Sequence, residues 1–316
     1  SSRFFRPGGA RPPTQIMVDF IHNNKDRYGV EAICRILPIA ASTYYRALDL
    51  VDNPEHRAKR ALHDLHHAEQ IKRIWKESLG RYGVRKVWQQ LKREGYVIAR
   101  CTVARLMQKL GIQGVWRGKN KQTTRSRDDQ KRADDLVKRN FNADHPDQLW
   151  VADFTYIQTH SGWVYTAFII DVFSRAIVGW KVSTRMNTDM VLDALEQALH
   201  DRGMPKNVIH HSDRGVQYLS IRYTNRLEAA NLRASVGTTG DSYDNALAET
   251  VNGLYKTEVI EYLKADWQGL ADVQLATLNW VDWFNKERVH SALGYVSPFE
   301  FEAMYYDKIN PLGQVA

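Results

Sequence analysis

Cysteine is scarce in the 316-residue sequence, which contains only Cys34 and Cys101. Their wide separation fits neither a metal-ligand pattern nor a redox pair, so a disulfide framework and a cysteine-based zinc site are excluded. We expect both to be buried thiols in a reducing compartment. No apolar stretch approaches the roughly 18 to 20 residues that span a bilayer, and the arginine-rich start lacks the apolar core of a signal peptide. The sequence therefore predicts a soluble intracellular protein without a membrane partner.

The composition is that of a folded protein with more than one domain. Hydrophobic residues make up 43% of the sequence and include nine tryptophans. This content is sufficient for hydrophobic cores and excludes wholesale disorder. A chain of 316 residues suits two or three domains.

Charge is distributed unevenly along the chain. Residues 1–140 contain 30 Lys and Arg against 14 Asp and Glu, whereas the remainder contains 14 against 22. Solvated helix faces explain most runs of charge, but a segregation this large favours a first half that binds a polyanion such as nucleic acid.

The basic half begins with short helical segments. Residues 1–13 combine Arg, Gly and Pro without periodicity, which predicts a flexible lead-in. Residues 14–50 show helical apolar spacing in three segments, with a break at Pro38 and with Ser42 as the expected cap of the third helix. A helix-turn-helix and a plain three-helix bundle explain this pattern equally well.

A second helical module is predicted over residues 58–113, with helices at 58–78, 84–93 and 102–110. It is the more basic candidate for a helix-turn-helix, and its cations are candidates for contacts with phosphates. These DNA-binding candidates are Arg85, Lys86, Arg100, Arg105 and Lys109.

Residues 114–141 are polar and rich in Lys and Arg, which predicts a basic domain linker. Its cations could follow a DNA backbone through salt-dependent contacts, and a plain soluble tether is the compatible alternative. The candidate cations are Arg117, Lys119, Lys121, Arg125 and Arg127.

From residue 142 the pattern changes to strands that alternate with helices. Strands are predicted at 149–158, 163–171, 176–182, 207–211 and 233–236, and helices at 188–202 and 221–231. This order indicates an α/β domain over 142–262, with a mixed sheet covered by helices. A helical extension over 263–316 follows, in which we expect Arg288 and His290 to brace the domain rather than to contact DNA.

Three carboxylates fall on three of these predicted elements. Asp153 lies within the first strand, Asp213 lies just beyond the fourth, and Glu249 follows on a helix 36 positions after Asp213. If the first and fourth strands are parallel neighbours, Asp153 and Asp213 are adjacent at the strand ends where ligands collect in open α/β sheets.

Carboxylates that meet in space require a cation. Mg²⁺ or Mn²⁺ prefers carboxylate oxygens and water, and two such ions roughly 4 Å apart catalyse in-line phosphoryl displacement. We therefore interpret Asp153, Asp213 and Glu249 as catalytic metal ligands for phosphodiester chemistry. Lys256, seven residues after Glu249, would lie two turns along the same helical face and meet the same anionic substrate.

Other residues in this region have structural interpretations. Asp171 also ends an apolar strand, but the turn after it offers backbone donors, so a structural role is favoured. His210 and His211 lack partners at ligand spacing and are interpreted as strand-end residues that line the site.

Several segments together resemble a known family. WVADFTYI, GWVYTAFIIDVFSRAIVGW, HSDRGVQY, YDNALAETVNGLYKTE and WFNKERVHSALGYVSPFEF occur in this order. They resemble the catalytic half of bacterial insertion-sequence transposases, in the DDE group of the retroviral-integrase superfamily. RYGVRKVWQQL, TVARLMQKLGI and CRILPIAASTYYRA resemble the helical part of that family, so the resemblance covers about residues 20–305.

The resemblance implies a fold and a reaction. The implied fold is ribonuclease H-like with a five-stranded mixed sheet. Asp153, Asp213 and Glu249 match the catalytic triad, with two Mg²⁺ or Mn²⁺ ions, and Lys256 matches the basic residue that contacts the DNA end. The implied reaction is hydrolysis of a phosphodiester at the element's terminus, followed by attack of the freed 3′-hydroxyl on another strand.

The resemblance also implies partners. These are double-stranded DNA, as terminal inverted repeats and as target, and a homodimer or larger assembly that pairs two ends in the bacterial cytoplasm at the nucleoid. In this family a first reading frame often supplies a further helix-turn-helix and a zipper. No heptad zipper is present in this sequence, so a separately encoded or fused region is a further expected partner.

Two other functions remain open from the sequence. One is a metal-dependent ribonuclease H-like nuclease without strand transfer. The other is a non-catalytic regulator with two DNA-binding modules, against which the intact carboxylate set argues.

Overall fold

The computed structural model describes residues 12–116, 142–213, 215–236, 246–263 and 266–310. The chain divides into two compact units, Ser1–Gln70 and Ile71–Ala316. The helices are α1 (Thr14–Tyr28), α2 (Val30–Ile36), α3 (Ala41–Asp52), α4 (Lys59–Glu77), α5 (Val84–Arg93), α6 (Arg100–Lys109), α7 (Thr188–Asp201), α8 (Ile221–Ala229), α9 (Ala246–Tyr255), α10 (Leu270–Lys286) and α11 (Pro298–Ile309). The strands are β1 (Leu149–Thr159), β2 (Gly162–Asp171), β3 (Ile177–Ser183), β4 (Ile209–Ser212) and β5 (Arg233–Val236).

In the first unit, helices α1 to α3 pack around a small core that includes Met17, Ile21 and Tyr44. Leu37, which precedes Pro38, is extended with ψ 145° and ends α2, because proline disfavours a helical residue before it. The expected cap at Ser42 is wrong. Helix α3 begins at Ala41 with Ala40 as its cap, two residues earlier than predicted, and the Ala40 carbonyl accepts the hydrogen bond from the Thr43 N–H at 3.0 Å.

A five-stranded mixed sheet organises the second unit, with strand order β3-β2-β1-β4-β5. β1 pairs antiparallel with β2, β2 pairs antiparallel with β3, and β4 pairs parallel with β1 and with β5. Strand β1 is rich in β-branched and aromatic residues, which favour this pleated central position. The predicted fold class is confirmed: this is the ribonuclease H-like arrangement.

The two faces of β1 are buried in two different hydrophobic cores. Leu149 and Val151 belong to a core that includes residues of α9 and α10, whereas Trp150 and Ala152 belong to a core with α7 and α8. Because side chains alternate across a strand, Asp153 shares the face of Val151 and points toward α9.

Helix α7 packs closely against β3, and Gly179 makes this approach possible. A Cβ at this position would clash with the carbonyl oxygen of Ala194 on α7. The missing side chain therefore sets the distance between this helix and the sheet.

The second helical module and the sheet are parts of one hydrophobic cluster. Val87 and Leu91 of α5 and Val103 of α6 are fully buried in the cluster that also contains Val259 and Phe284. This common core fixes α5 and α6 to the C-terminal extension and hence to the ribonuclease H-like domain.

The expectation of two buried thiols is wrong. Cys34 is half-buried and Cys101 is exposed. Cys101 lies on the outward face of α6, whose inward face is formed by Val103, Leu106 and Met107. In the described residues, no helix combines the length and the apolar composition needed to cross a membrane.

A buried ion pair connects the segment after α9 with the segment after α10. Residues Lys256–Glu261 form a π-helical segment, and from it Glu258 accepts a hydrogen bond from Arg288 Nη2 at 2.6 Å. Burial alone would raise the pKa of Glu258, but Arg288, with Lys86 and the Trp280 N–H, outweighs burial and holds that pKa below its ordinary value. Arg288 therefore braces the domain, as predicted.

Breaking this pair should destabilise the protein strongly. Glu258→Gln leaves Arg288, whose side chain is only 6% exposed, without its counter-charge. We expect the free energy of unfolding to fall by about 3 to 5 kcal/mol, measured by urea denaturation. The control Asp193→Asn removes an exposed pair with Lys181 and should cost less than about 1 kcal/mol. Equal costs for the two variants would contradict the assigned role of Glu258.

Candidate active site

Two of the three predicted carboxylates meet because β1 and β4 are parallel neighbours. Ala152 of β1 pairs with Ser212 of β4. Asp153 directly follows Ala152, and Asp213 directly follows Ser212. Neighbouring strands lie about 5 Å apart, so the two aspartates start from adjacent backbones. The predicted neighbourhood of the first and fourth strands is confirmed.

Asp153 is half-buried and has two neutral hydrogen-bond donors. Its Oδ1 accepts from the Phe154 N–H at 2.8 Å, and its Oδ2 accepts from Asn252 Nδ2 at 2.8 Å. Burial raises the pKa of Asp153 to about 7, with further contributions from the negative charges of Asp213 and, to a smaller extent, Glu249. A carboxylate with such neighbours is in a position where a cation would stabilise its charged form.

Asp213 lies at the open end of the sheet. The residue as a whole is exposed, but its carboxyl group lies among packed atoms, and this burial raises its pKa. Its Oδ1 accepts a hydrogen bond from the Gly215 N–H at 3.0 Å, which orients the carboxylate.

Glu249 lies in the first turn of α9 and is exposed. Asn252, one turn further along, holds α9 against β1 through its bond to Asp153. Glu249 is therefore near enough to raise the pKa of Asp153. Within the described residues, no three His, Cys, Asp or Glu side chains are close enough together to enclose a metal ion.

Lys256 is the first residue of the π-helical segment, where the helix widens. The regular helical face expected to carry both Glu249 and Lys256 thus ends at Tyr255. The Nζ atom of Lys256 lies 4.8 Å from the centre of the Tyr156 ring, beside β1.

The cations predicted on α5 contact other parts of the protein. The Arg85 guanidinium lies 5.8 Å from the ring centre of Tyr295, and Lys86 Nζ lies 5.0 Å from that of Tyr82. Burial, followed by repulsion from Arg288, lowers the pKa of Lys86 to about 7.

The cations predicted on α6 have a different setting. Arg100, Arg105 and Lys109 are exposed. Arg117, Lys119, Lys121, Arg125 and Arg127 of the basic linker lie outside the described residues, as does most of the lead-in.

The structural interpretation of Asp171 is confirmed. The side chain is fully buried and accepts hydrogen bonds from the Ser174 N–H and the Asp147 N–H at 2.8 and 2.9 Å. Residue 171 pairs with Trp150, three positions before Asp153 on β1, so it is displaced from the carboxylate site along the sheet.

The two histidines are buried rather than exposed on the site. His210 Nε2 lies 3.0 Å from the hydroxyl of Tyr223, and burial lowers the pKa of this histidine to about 4. His211 Nδ1 lies 2.9 Å from the Ser235 hydroxyl of the neighbouring strand. Both side chains therefore pack inside the protein at the end of β4 and do not line an exposed surface.

The sequence-based prediction missed Asn252. Its position three residues after Glu249 is the available signal, because residues three apart share a helix face. The contact of Tyr156 with Lys256 had no such signal, since it joins two elements that are distant in sequence.

Residues 143–242 and 230–298 match two family models that are both described as integrase core domain, and residues 63–120 match an HTH-like domain. A solved structure of the HTLV-2 integrase catalytic core domain has 18% sequence identity and a TM-score of 0.42, covering 51% of this chain and 99% of that chain.

Curated relatives extend over most of the chain. The transposase for insertion sequence element IS629 of Shigella sonnei is 52% identical over 293 residues, which cover 93% of this chain and 98% of that protein. The transposase for insertion sequence IS3A of Escherichia coli is 31% identical over 285 residues, which cover 90% of this chain and 97% of that protein. The chain therefore belongs to the insertion-sequence transposases that carry an integrase core domain.

Proposed function

We propose that Asp153, Asp213 and Glu249 together bind two Mg²⁺ or Mn²⁺ ions. With these ions the chain would cleave a phosphodiester at an end of its element and transfer the freed 3′-hydroxyl to another DNA strand. The pairing of Ala152 with Ser212 carries the proposal, because it brings two aspartates from distant parts of the sequence to one point.

The donor set fits such ions. All three side chains are carboxylates, the ligands that hard divalent cations prefer. The groups that lower the pKa of Asp153 are neutral donors, whereas Asp213 and Glu249 raise it. A bound cation would relieve this repulsion, and the exposed side chain of Glu249 can turn toward Asp153.

Different residues of the chain would orient the carboxylates and bind the DNA strand. When bound, the two ions activate the attacking oxygen and stabilise the leaving oxygen of an in-line displacement. Asn252 holds Asp153 in one orientation, and the Gly215 N–H does the same for Asp213. Lys256 would contribute a positive charge to the DNA strand beside the carboxylates.

Helix α6 is the element that we propose to present cations to DNA. Its exposed cations Arg100, Arg105 and Lys109 contrast with Arg85 and Lys86 of α5, which lie over aromatic rings of the protein. The proposed partners are terminal inverted repeats and target DNA at the bacterial nucleoid. Pairing of two ends calls for a homodimer or larger assembly, with a separately encoded or fused helix-turn-helix region as a further partner.

The carboxylate assignment is tested by Asp213→Asn. This change removes a metal ligand but no basic residue, so donor-end oligonucleotides should still bind. Cleavage and joining in Mg²⁺ should each fall by at least about 10²-fold, since metal ions contribute several kcal/mol to the transition state. Asp193→Asn serves as the control with an equal change of charge.

The reaction products distinguish the three candidate functions. Joined products from the unmodified protein support the transposase, cleavage without joining indicates a nuclease, and binding without cleavage indicates a regulator. Retained cleavage by Asp213→Asn would remove Asp213 from the site.

The raised pKa of Asp153 predicts a pH-dependent effect on stability without metal. A carboxyl whose folded pKa lies above its unfolded value stabilises the fold at low pH, and this contribution is lost as pH rises through about 7. Asp153→Asn should therefore raise the melting temperature at pH 8, with a smaller gain at pH 5. After an amide flip, Asn252 can still bond the new side chain.

Differential scanning calorimetry in the presence of a chelator measures this effect. Added Mg²⁺ should stabilise the unmodified protein but not Asp153→Asn. A gain in melting temperature that is the same at pH 5 and pH 8 would contradict the assigned titration.

The assignment of α6 predicts the dependence of DNA binding on salt. Each phosphate contact contributes about one unit to the slope of a plot of log K, where K is the association constant for DNA, against the logarithm of the salt concentration. Arg100→Ala and Lys109→Ala should each lower that slope by about one in a fluorescence-anisotropy titration. Arg85→Ala should leave the slope unchanged, and an equal effect of all three changes would argue against α6.

A further inference from the structure

Two large aromatic side chains are exposed together on the β1–β2 hairpin. Tyr156 is 53% exposed and Trp163 is 49% exposed. Their ring centres lie 5.3 Å apart with an interplanar angle of 81°. Tyr156 pairs with Tyr165, two residues after Trp163, so both rings stand on the same face of the hairpin.

This aromatic pair lies on the face of β1 that becomes exposed beyond Phe154, in the part of the chain that the structure describes. β4 pairs with β1 only as far as Ala152. On the same face of β1, burial falls from Ala152, which is fully buried, through the half-buried Phe154 to Tyr156. Among the described residues, the rings therefore do not complete a core.

A cation and the carboxylate site adjoin the pair. Lys256 Nζ lies 4.8 Å from the centre of the Tyr156 ring. An ammonium group has three donors, so a lysine that rests on a ring can still donate to a phosphate. The surface thus combines aromatic rings with a positive charge, as single-strand nucleic-acid sites do.

The distance to the carboxylates suits a short length of DNA strand. Tyr156 follows Asp153 by three residues on an extended strand, which places their backbones roughly 10 Å apart. Their side chains leave opposite faces of β1, so a DNA strand that reaches both must cross the edge of β1 that, in the described residues, β4 leaves unpaired beyond Ala152. Nucleotides in a stacked strand are about 3.4 Å apart, so this distance spans about three nucleotides. A base three or a few more nucleotides from a phosphate at the carboxylates can therefore reach the rings around this edge.

We propose that Tyr156, Trp163 and Lys256 form a stacking site for an unpaired DNA base beside the cleaved phosphodiester. The inference rests on the proposed function, which places DNA at Asp153. A paired base is already stacked within the duplex, so the site selects DNA ends that are frayed or single-stranded. The stacking site would hold the end in place while the carboxylates act.

The test compares two DNA probes without divalent metal. One is a duplex with an unpaired 3′ tail that carries 2-aminopurine, and the other is the same duplex with a fully paired end. Tyr156→Ala and Trp163→Ala should each weaken binding of the tailed probe by roughly 5- to 100-fold. Both should also reduce the quenching of 2-aminopurine and leave binding of the paired probe unchanged.

Matched variants separate stacking from charge. Tyr156→Phe and Trp163→Phe keep a ring and should retain tight binding of the tailed probe, as should Gln158→Ala on the same face. The alanine variants should keep the slope of log K against log salt, whereas Lys256→Ala should lower it by about one unit. Equal binding of the tailed probe by the alanine variants and the unmodified protein would overturn the proposal.

A second measurement requires no variant. A tail that carries 5-iodouracil should crosslink on irradiation to Tyr156 or Trp163 of the unmodified protein. Crosslinks confined to other peptides would overturn the proposal. The proposal would also be overturned if the alanine variants bound the tailed probe normally but no longer self-associated in analytical ultracentrifugation. The rings would then contact a second copy of this chain instead of DNA.

These binding measurements are independent of catalysis. If the unmodified protein bound and quenched the tailed probe as expected but failed to cleave DNA in Mg²⁺, the proposed function would fail and the stacking site would stand. The opposite result, cleavage with no contribution from the rings, would leave the proposed function and remove the stacking site.

Discussion

The parallel pairing of β1 with β4 is the constraint on which the site depends. It ends at Ala152 and Ser212, so the next residue on each strand is an aspartate at an open edge of the sheet. A shift of one residue in this register would turn one aspartate to the opposite face, into the core formed by Trp150 and Ala152. The apolar side chains that bury the two faces of β1 therefore also determine which carboxylates meet.

The third carboxylate depends on a separate set of contacts. Helix α9 is held to β1 by Asn252, and the π-helical segment after it is held by the buried pair of Glu258 and Arg288. Arg81, which donates from Nε to the Glu258 carbonyl at 3.1 Å, adds a contact from the turn before α5. Because the helical module and the C-terminal extension both contact this segment, a change in either can alter the position of Glu249 without touching the site.

Periodicity and local rules accounted for most of the fold. The strand predictions fell within two residues of the observed limits, and the turn donors after Asp171 identified it as structural. Ser42 is not the cap because the helix begins earlier, with the Ala40 carbonyl accepting the first hydrogen bond. The buried pair of Glu258 and Arg288 could not be predicted, since it joins charges from segments that only tertiary packing brings together.

The charge of the basic half also requires a revised interpretation. Its excess of Lys and Arg suggested a surface for phosphates, yet two of its cations are used around Glu258. Arg81 donates to the Glu258 backbone carbonyl, and Lys86 lies near the Glu258 carboxylate, where burial, followed by repulsion from Arg288, lowers the pKa of Lys86. Arg93 bonds Glu300 of α11 at 2.7 Å. Cations that are used within the protein release no counterions from DNA, so the net charge overestimates the number of phosphate contacts. The affinity for DNA must then come from fewer groups, which increases the importance of α6 and of contacts, such as stacking, that do not depend on charge.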